Sequence, residues 1–172
     1  SDSKACRDVS LALQYATPTW GLALSTERMW GGAGTGSPLP LSSQTDTRTI
    51  LNGFYKIAGA TLGAGYIKRK NEASATPNRN MWWAGVTYPA GAWLLDLQYG
   101  RLDLQNSPDD ASIIALRAQY LLSKRTSVYA TAGRVNNSGA STITVDGGVV
   151  AGANPAPGVS QTGTMVGIRH VF

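Results

Sequence analysis

The sequence has very few of the residues from which proteins build catalytic and metal centres. Cys6 is the one cysteine and His170 the one histidine among 172 residues. A single cysteine cannot form a disulfide within the chain, and no Cys/His spacing typical of a metal site occurs. A Ser-His-Asp or Cys-His arrangement would have to use His170, which its strand pattern places on an outward face near a rim. We therefore expect no enzymatic activity, no cofactor and no metal.

Long apolar runs are also absent. No segment approaches the roughly 20 apolar residues that a membrane-spanning helix requires, and the mean hydropathy is −0.13. These properties exclude a helical membrane protein. They do not exclude a barrel of membrane-spanning strands, because only the outward half of its side chains must be apolar. Twenty glycines, five tryptophans and seven tyrosines favour strands over helices.

Nine segments with the period-two pattern of strands are separated by two kinds of connection. The predicted strands are residues 8–16, 20–30, 47–57, 61–70, 80–88, 93–102, 111–122, 126–135 and 161–172. The short connections are residues 17–19, 58–60, 89–92 and 123–125, and the long ones are residues 31–46, 71–79, 103–110 and 136–160. Short and long connections strictly alternate, which is typical of outer-membrane barrels with periplasmic turns and extracellular loops.

The last ten residues carry the strongest single pattern. Counting back from the terminal phenylalanine, one face carries Phe172, His170, Ile168, Val166 and Thr164. The other face carries Val171, Arg169, Gly167 and Met165. This is the alternation expected of a strand between two different environments.

Two motifs resemble Gram-negative porins of the type found in beta-proteobacteria. The first is the terminal Phe172 preceded by Gly167, Arg169 and His170, which resembles the closing strand of those barrels. The second is the segment LSKRT at residues 122–126 followed by VYA at residues 128–130, which resembles the turn before their final loop. The resemblance extends over essentially the whole chain.

The resemblance implies an all-β fold, an antiparallel transmembrane β-barrel. Porins of this type have sixteen strands, so we expect residues 1–172 to be a single, incomplete domain that corresponds to the C-terminal nine. Nine strands alone would leave unpaired edge groups in lipid, at several kcal/mol each. Residues 1–4 lack the apolar core of a signal peptide, so we expect a mature chain or a fragment.

The implied function is a water-filled channel for passive diffusion of small hydrophilic solutes across the outer membrane of a Gram-negative bacterium. The implied partners are outer-membrane lipid, lipopolysaccharide, two further copies in a homotrimer and the outer-membrane assembly machinery. His170 and Phe172 are the expected assembly signal for that machinery.

Aromatic residues next to the short turns predict a girdle at the periplasmic headgroup level. A ring at that level stays apolar while its polar edge meets water. The girdle residues are Tyr15, Trp20, Tyr88, Trp93, Tyr120, Tyr129 and Phe172. A second girdle near the long loops is predicted from Trp30, Tyr66, Trp82 and Tyr99. The alternative, a soluble β-sandwich core, requires apolar interiors that the opposite faces do not provide.

Charged residues on those opposite faces predict the lining of a pore. A Lys or Arg facing lipid near the midplane costs about 2–4 kcal/mol, so the charged face is assigned to water. The predicted pore-lining residues are Arg48, Lys56, Arg69, Asp96, Arg117, Arg134 and Arg169. Asp96 is the one acid placed within the strands, so we expect a preference for small anions. The alternation around Tyr129 is ambiguous, and a position at the rim remains open for Arg134.

The 15 basic residues against 10 acidic ones do not indicate nucleic-acid binding, because they are spread over strand faces without a nucleic-acid motif. Lys68, Arg69 and Lys70 are expected to approach the outer mouth, where they can attract anions or bind lipopolysaccharide phosphates.

Two acidic residues and one glycine-rich segment receive ordinary structural interpretations. Asp109 and Asp110 follow Pro108 and indicate a solvated turn more than a metal site. Residues 31–36 lack the Lys-Ser/Thr of a phosphate-binding loop and indicate a surface loop.

Two other function classes stay open, a small barrel acting as adhesin or structural anchor and a soluble β-rich binding protein. Detergent dependence and channel conductance distinguish them from a porin.

Overall fold

The computed structural model describes residues 5–32, 39–74, 78–147 and 154–172, which form one antiparallel sheet. Its nine strands are β1 (Asp8–Ala16), β2 (Trp20–Trp30), β3 (Thr45–Ile57), β4 (Ala60–Asn71), β5 (Asn78–Ala90), β6 (Trp93–Leu104), β7 (Ala111–Leu121), β8 (Thr126–Asn137) and β9 (Gln161–His170). Each strand pairs with the next one in the sequence. The predicted all-β, nine-stranded antiparallel fold is confirmed. Within the described residues, no helix has the length and apolar character needed to cross a membrane.

Several strands are longer than the sequence pattern predicts, mainly where they meet the long loops. β3 begins at Thr45, two residues early, and β6 and β8 each end two residues late. Polar side chains at these ends give no apolar alternation, yet they pair in register. At the start of β3, Thr45 donates its backbone N–H and its hydroxyl to the Glu72 carboxylate, at 2.9 and 3.0 Å. These bonds lower the pKa of Glu72.

The short connections are tight hairpin turns. Ala58 and Gly59 join β3 to β4 with positive φ angles of 49° and 82°, the backbone that two-residue hairpins favour. Gly91, with φ of 64°, and Ala92 join β5 to β6. The predicted turn at residues 89–92 is therefore too long, because Pro89 and Ala90 still pair within β5. We call the side of the sheet where the short turns join the strand ends the turn end, and the opposite side, where the long loops join them, the loop end.

The register separates the side chains into two faces of unlike chemistry. The apolar face includes Leu13, Leu24, Leu62, Leu97, Leu116 and Val166. The polar face includes Arg48, Arg69, Asp96, Arg117 and Arg169. Leu13 is 73% exposed and Val166 82% exposed. Burying such surface is worth about 25 cal/mol per Å², so the apolar face requires an apolar surrounding.

The sheet is open. Within the described residues, β1 pairs only with β2 and β9 only with β8. Each edge strand therefore has one row of backbone N–H and C=O groups without a strand partner, a row that further strands can extend. Such groups cannot stay unpaired in hydrocarbon.

Three aromatic rings lie against glycines on the polar face. Phe54 covers Gly21, Trp83 covers Gly65 and Tyr129 covers Gly167, each on a neighbouring strand. A Cβ added at Gly21 would come within 2.6 Å of the Phe54 ring, and one added at Gly167 within 2.5 Å of the Tyr129 hydroxyl. Because glycine has no side chain, the large rings can approach the backbone of the polar face closely at these positions. This explains an inward Phe54, which the simple alternation of polar and apolar faces does not.

The Gly65–Trp83 contact yields a stability prediction. Gly65→Ala forces the indole off the wall, and we expect a loss of about 1–3 kcal/mol in the free energy of unfolding. Gly63→Ala is the matched control on the same face of β4, because its added Cβ would meet only the Gly53 oxygen at 3.9 Å. Urea unfolding of the detergent-solubilised complete protein, followed by tryptophan fluorescence, measures both. Equal stability of the two variants would contradict the packing described.

Candidate functional site

Charged side chains are concentrated on the polar face. Its basic residues on the described strands are Arg48, Lys56, Arg69, Arg79, Arg117 and Arg169, six in number. Its acidic residues there are Asp8, Glu27, Asp46 and Asp96, four in number. The face is therefore basic by two charges, and its electrostatics depend on which cations have acidic partners.

A row of charged residues crosses four strands at the loop end. Glu27, Arg48, Arg69 and Arg79 are direct cross-strand neighbours on β2 to β5. Asp46 lies beside the row at 2% exposure and accepts hydrogen bonds from Arg69 Nε at 3.0 Å and from Asn71 Nδ2 at 3.1 Å.

Arg48 has weaker ion pairs than Arg69. It lies 3.8 Å from Glu27 and 3.8 Å from Asp46. At this distance the two acids offset part of its charge without hydrogen bonding to it.

A second row crosses the sheet nearer the turn end. Thr87, Asp96, Arg117 and Thr131 are direct neighbours on β5 to β8. The Asp96 carboxylate accepts from Thr87 Oγ1 at 2.6 Å and from Arg117 Nε at 2.8 Å. Charge-assisted bonds of this kind fix the orientation of the guanidinium.

Three cations on the polar face have no acidic partner. Within the described residues, no carboxylate lies within 4 Å of Lys56, Arg79 or Arg169. Arg169 lies in a cleft of about 490 Å³ with Arg117 and Gln119. The positive charge of these three residues is therefore not offset by a neighbouring carboxylate of the described residues.

Six of the seven residues predicted to line water share the polar face. They are Arg48, Lys56, Arg69, Asp96, Arg117 and Arg169.

Arg134 is the exception and requires a correction. It pairs with Ile114 and Thr162 on the apolar face and donates to Asn136 at 2.9 Å. Its position near the loop end lets the guanidinium reach polar groups while its stem crosses apolar surface. The rim position left open for Arg134 thus corresponds to its place in the sheet.

Asp8, Glu27, Asp46 and Arg79 also lie on the polar face, although the sequence pattern does not predict them there. Asp46 and Arg79 fall in predicted loops, because β3 and β5 begin earlier than the pattern indicates. Continuing the period of two back from Arg48 and Met81 would have found both. Asp96 is consequently not the one acid within the strands.

The aromatic residues at the turn end lie mainly on the apolar face. Tyr15 and Trp20 pack at 5.2 Å between ring centroids, and Trp93 and Tyr120 at 4.9 Å. Tyr88 shares this face. Tyr55, which the sequence analysis did not include, pairs with Trp20 and Leu62 at the same level.

Tyr129 does not belong to this aromatic group. The register places it on the polar face opposite Gln119 and Gly167. Its ring covers Gly167 instead of facing outward, so its prediction as a girdle residue was wrong.

His170, at the end of β9, pairs with Thr126 and lies on the apolar face. His170 Nδ1 lies 2.8 Å from the Thr126 hydroxyl, and its ring packs edge to face with Phe172 at 4.9 Å. Phe172 is fully exposed.

Asp109 and Asp110 stabilise a loop. Asp109 accepts from the backbone N–H of Ala140 at 2.6 Å, and that bond, followed by one with Ser107, lowers the pKa of Asp109. Asp110 pairs with Arg101 at 2.9 Å. No group of three potential metal ligands occurs in the part of the chain that the structure describes. Most of the glycine-rich segment 31–36 lies outside the described residues.

The final connection, after β8, folds back over the polar face at the loop end. The Asn137 side chain donates to the Ile143 and Val159 carbonyls, each at 2.9 Å, and accepts from Ser141 at 2.9 Å and from the Ile143 N–H at 3.1 Å. Val145 covers Gly163, where an added Cβ would come within 2.7 Å. One buried amide thus fixes residues 138–147 against the wall.

Asn137→Asp should release this connection. A carboxylate cannot donate to the two part-buried carbonyls of Ile143 and Val159, so the variant loses both bonds, at a net cost of about 0.5–1.5 kcal/mol each. We expect hydrogen exchange at the Ile143 and Val145 amides to accelerate at least tenfold. Thr142→Ala, at an exposed position of the same connection, is the control and should leave exchange unchanged. Unaltered protection in the Asn137 variant would show that the amide is not the anchor.

The apolar face carries a basic belt near the loop end. The belt consists of Arg7, Arg28, Lys68, Lys70, Arg101 and Arg134. Arg7 stacks over Trp30 at 4.1 Å, and Arg28 approaches the same ring at 5.4 Å. Trp82 and Tyr99 pack together at 5.2 Å at a similar level. Cations and aromatic rings here form a band suited to an interface between an apolar layer and anionic headgroups.

Known proteins resemble this chain in sequence and in fold. The family described as Gram-negative porin matches residues 1–140. Outer membrane porin protein 32 of Delftia acidovorans is 35% identical over 127 residues, covering 65% of this chain and 36% of the relative. The anion-selective porin from Comamonas acidovorans is 25% identical, with a TM-score of 0.79 over 96% of this chain and 49% of that chain.

A more distant structure shares the fold alone. OmpT of Vibrio cholerae in its trimer form is 15% identical, with a TM-score of 0.63 over 94% of this chain and 54% of that one. The chain spans between about a third and about half of the length of these relatives. The match over residues 1–140 shows that this chain belongs to the Gram-negative porin family, whose proteins lie in the outer membrane.

Proposed function

We propose that this chain forms part of the wall of a water-filled channel for passive diffusion of small hydrophilic solutes, with a preference for anions. One observation carries the proposal: a single sheet has a continuous exposed apolar face and an opposite face that carries six basic and four acidic residues on its described strands. Lipid on one side and water on the other satisfy both faces. Membership of the porin family supports this assignment.

The proposed anion preference rests on the cations without acidic partners. Lys56, Arg79 and Arg169 raise the potential along the wall, whereas the acids hydrogen-bonded to Arg69 and Arg117 offset much of the charge of those arginines. A narrow aqueous path between low-dielectric walls concentrates such a field. Side-chain rings of one sign select ions in this way.

We propose no catalytic role for the chain. Its one histidine, His170, lies on the apolar face beside Thr126. It therefore cannot act as the base for a nucleophile on the polar face. The transported solute would pass without chemical change.

We also propose that the chain acts in a homotrimer and that the basic belt contacts lipopolysaccharide phosphates. Lys68, Lys70 and Arg134 of the belt lie on the apolar face at the end where long loops extend. A phosphate-bearing headgroup layer complements their charge.

Charge reversal tests the channel and its selectivity. In the complete protein in planar bilayers, reversal potentials in a salt gradient should indicate anion preference, which fades as the Debye length falls below about 10 Å above 0.1 M salt. Arg48→Glu, Arg117→Glu and Arg169→Glu should each weaken the preference, with the largest effect at Arg169, which has no acidic partner.

Lys124→Glu is the matched control, since Lys124 lies in the turn between β7 and β8 and should change selectivity little. A cation-selective pore, or an effect at Lys124 equal to that at Arg117, would reject the assignment of the polar face to the lumen. A folded protein without conductance would favour the adhesin or anchor function instead.

We further propose that His170 and Phe172 form a signal for the outer-membrane assembly machinery. Their packed, exposed rings support this role. Deletion of Phe172 from the complete protein should reduce the folded amount in the outer membrane severalfold, measured by surface labelling. Normal surface abundance of the deletion variant would contradict the proposal.

A further inference from the structure

A cleft on the polar face has an unexpectedly apolar wall. It encloses about 320 Å³ near the loop end, between β4 and β8. The lining residues on this face include Ile67, Met81, Trp83, Leu102, Ile113 and Val135. We call it the Trp83 cleft. A wall that only faced water would not gain from so many neighbouring apolar side chains.

The final connection contributes to the cleft. Ile143 lines it and is fixed by the Asn137 amide through its carbonyl and its N–H. Val135, at the base, is 1% exposed. The cleft is thus formed by strands and by an anchored loop, which preorganises its shape.

A cation without a carboxylate partner lies beside the cleft. Arg79 occupies the same face of β5 as Met81, two residues away, and pairs with Leu104, which follows Leu102 on that face of β6. Arg79 Nε is buried and, within the described residues, has no hydrogen-bond acceptor. A buried donor without an acceptor is unfavourable, and a guanidinium binds carboxylates bidentately.

We propose that the Trp83 cleft is a binding site for small amphipathic organic anions, in particular monocarboxylates with an aromatic or branched aliphatic body. The carboxylate binds Arg79, and the apolar body packs on Met81, Trp83 and Ile113. The inference rests on the proposed channel function, since the cleft then lies along the solute path.

The dimensions of the cleft limit the ligand. Its volume is at the lower end of the roughly 300–1,000 Å³ usual for small-molecule sites, which fits one ring with a short acidic chain. A site on a diffusion path must bind weakly enough to release the solute, so we expect millimolar affinity.

The test uses 3-phenylpropionate as the probe and the complete protein in planar bilayers. Current noise or partial blockade by the probe measures binding, while the conductance in salt alone measures the open channel. We expect 3-phenylpropionate to bind at least tenfold more tightly than acetate, which lacks the apolar body. It should also bind at least tenfold more tightly than benzyl alcohol, which lacks the charge.

Variants separate the two parts of the site. Arg79→Gln should weaken binding of 3-phenylpropionate about tenfold or more, with Arg79→Lys intermediate. Met81→Gln should weaken it severalfold while leaving acetate unaffected, and Ile113→Ala provides a second change in the apolar wall. Lys124→Gln removes the same charge in the turn between β7 and β8, away from the cleft, and should alter affinity less than twofold.

The outcomes for the site and for the channel are distinguishable. Normal conductance with equal binding of 3-phenylpropionate and acetate would overturn the inference and leave the proposed function intact. Unchanged affinity in the Arg79 and Met81 variants would do the same. Absence of conductance in the unsubstituted protein would instead reject the proposed function.

Discussion

The cross-strand register is the constraint on which the rest of the structure depends. Backbone pairing of each strand with the next, from β1 through β9, fixes every strand side chain on one of two faces, because successive residues of a strand point in opposite directions. A shift of one residue in β7 would put Arg117 among the leucines and Leu116 opposite Asp96. Such an exchange would place a charge on the apolar face and an apolar side chain among charged ones, so the unlike chemistry of the two faces holds the register in place.

Glycine on the polar face has a structural consequence beyond turns. Gly21, Gly65 and Gly167 each lie beneath an aromatic ring of a neighbouring strand. The ring gains contact with the backbone, and the wall stays thin where a projecting ring would narrow the aqueous space. An inward aromatic residue next to a cross-strand glycine is therefore compatible with a wall that faces water.

The charges of the polar face divide into a paired and an unpaired group. Asp46 and Asp96 hydrogen-bond Arg69 and Arg117 and orient them along the sheet. Lys56, Arg79 and Arg169 have no such partner among the described residues, so no carboxylate offsets their charge. If all basic residues were counted equally, the net charge contributed by the paired arginines would be overstated and that of the unpaired cations understated.

The sequence by itself determined the nine strands, the alternation of turns and loops, and the face of every residue within strongly patterned strands such as β4, β6 and β7. Period-two alternation is local, so it can be read without the partner strand. Only the tertiary structure decided the positions of Tyr129 and Arg134, and only it showed that β5 begins at Asn78, ahead of Arg79. In β8, Val128 and Tyr129 are both side chains that an apolar face accepts, so the pattern does not choose between the two faces. At the start of β5, polar residues occupy both faces, so the alternation is not visible in the sequence. Cross-strand pairing resolves such positions, because a strand's register is set by its neighbours as well as by its own side chains.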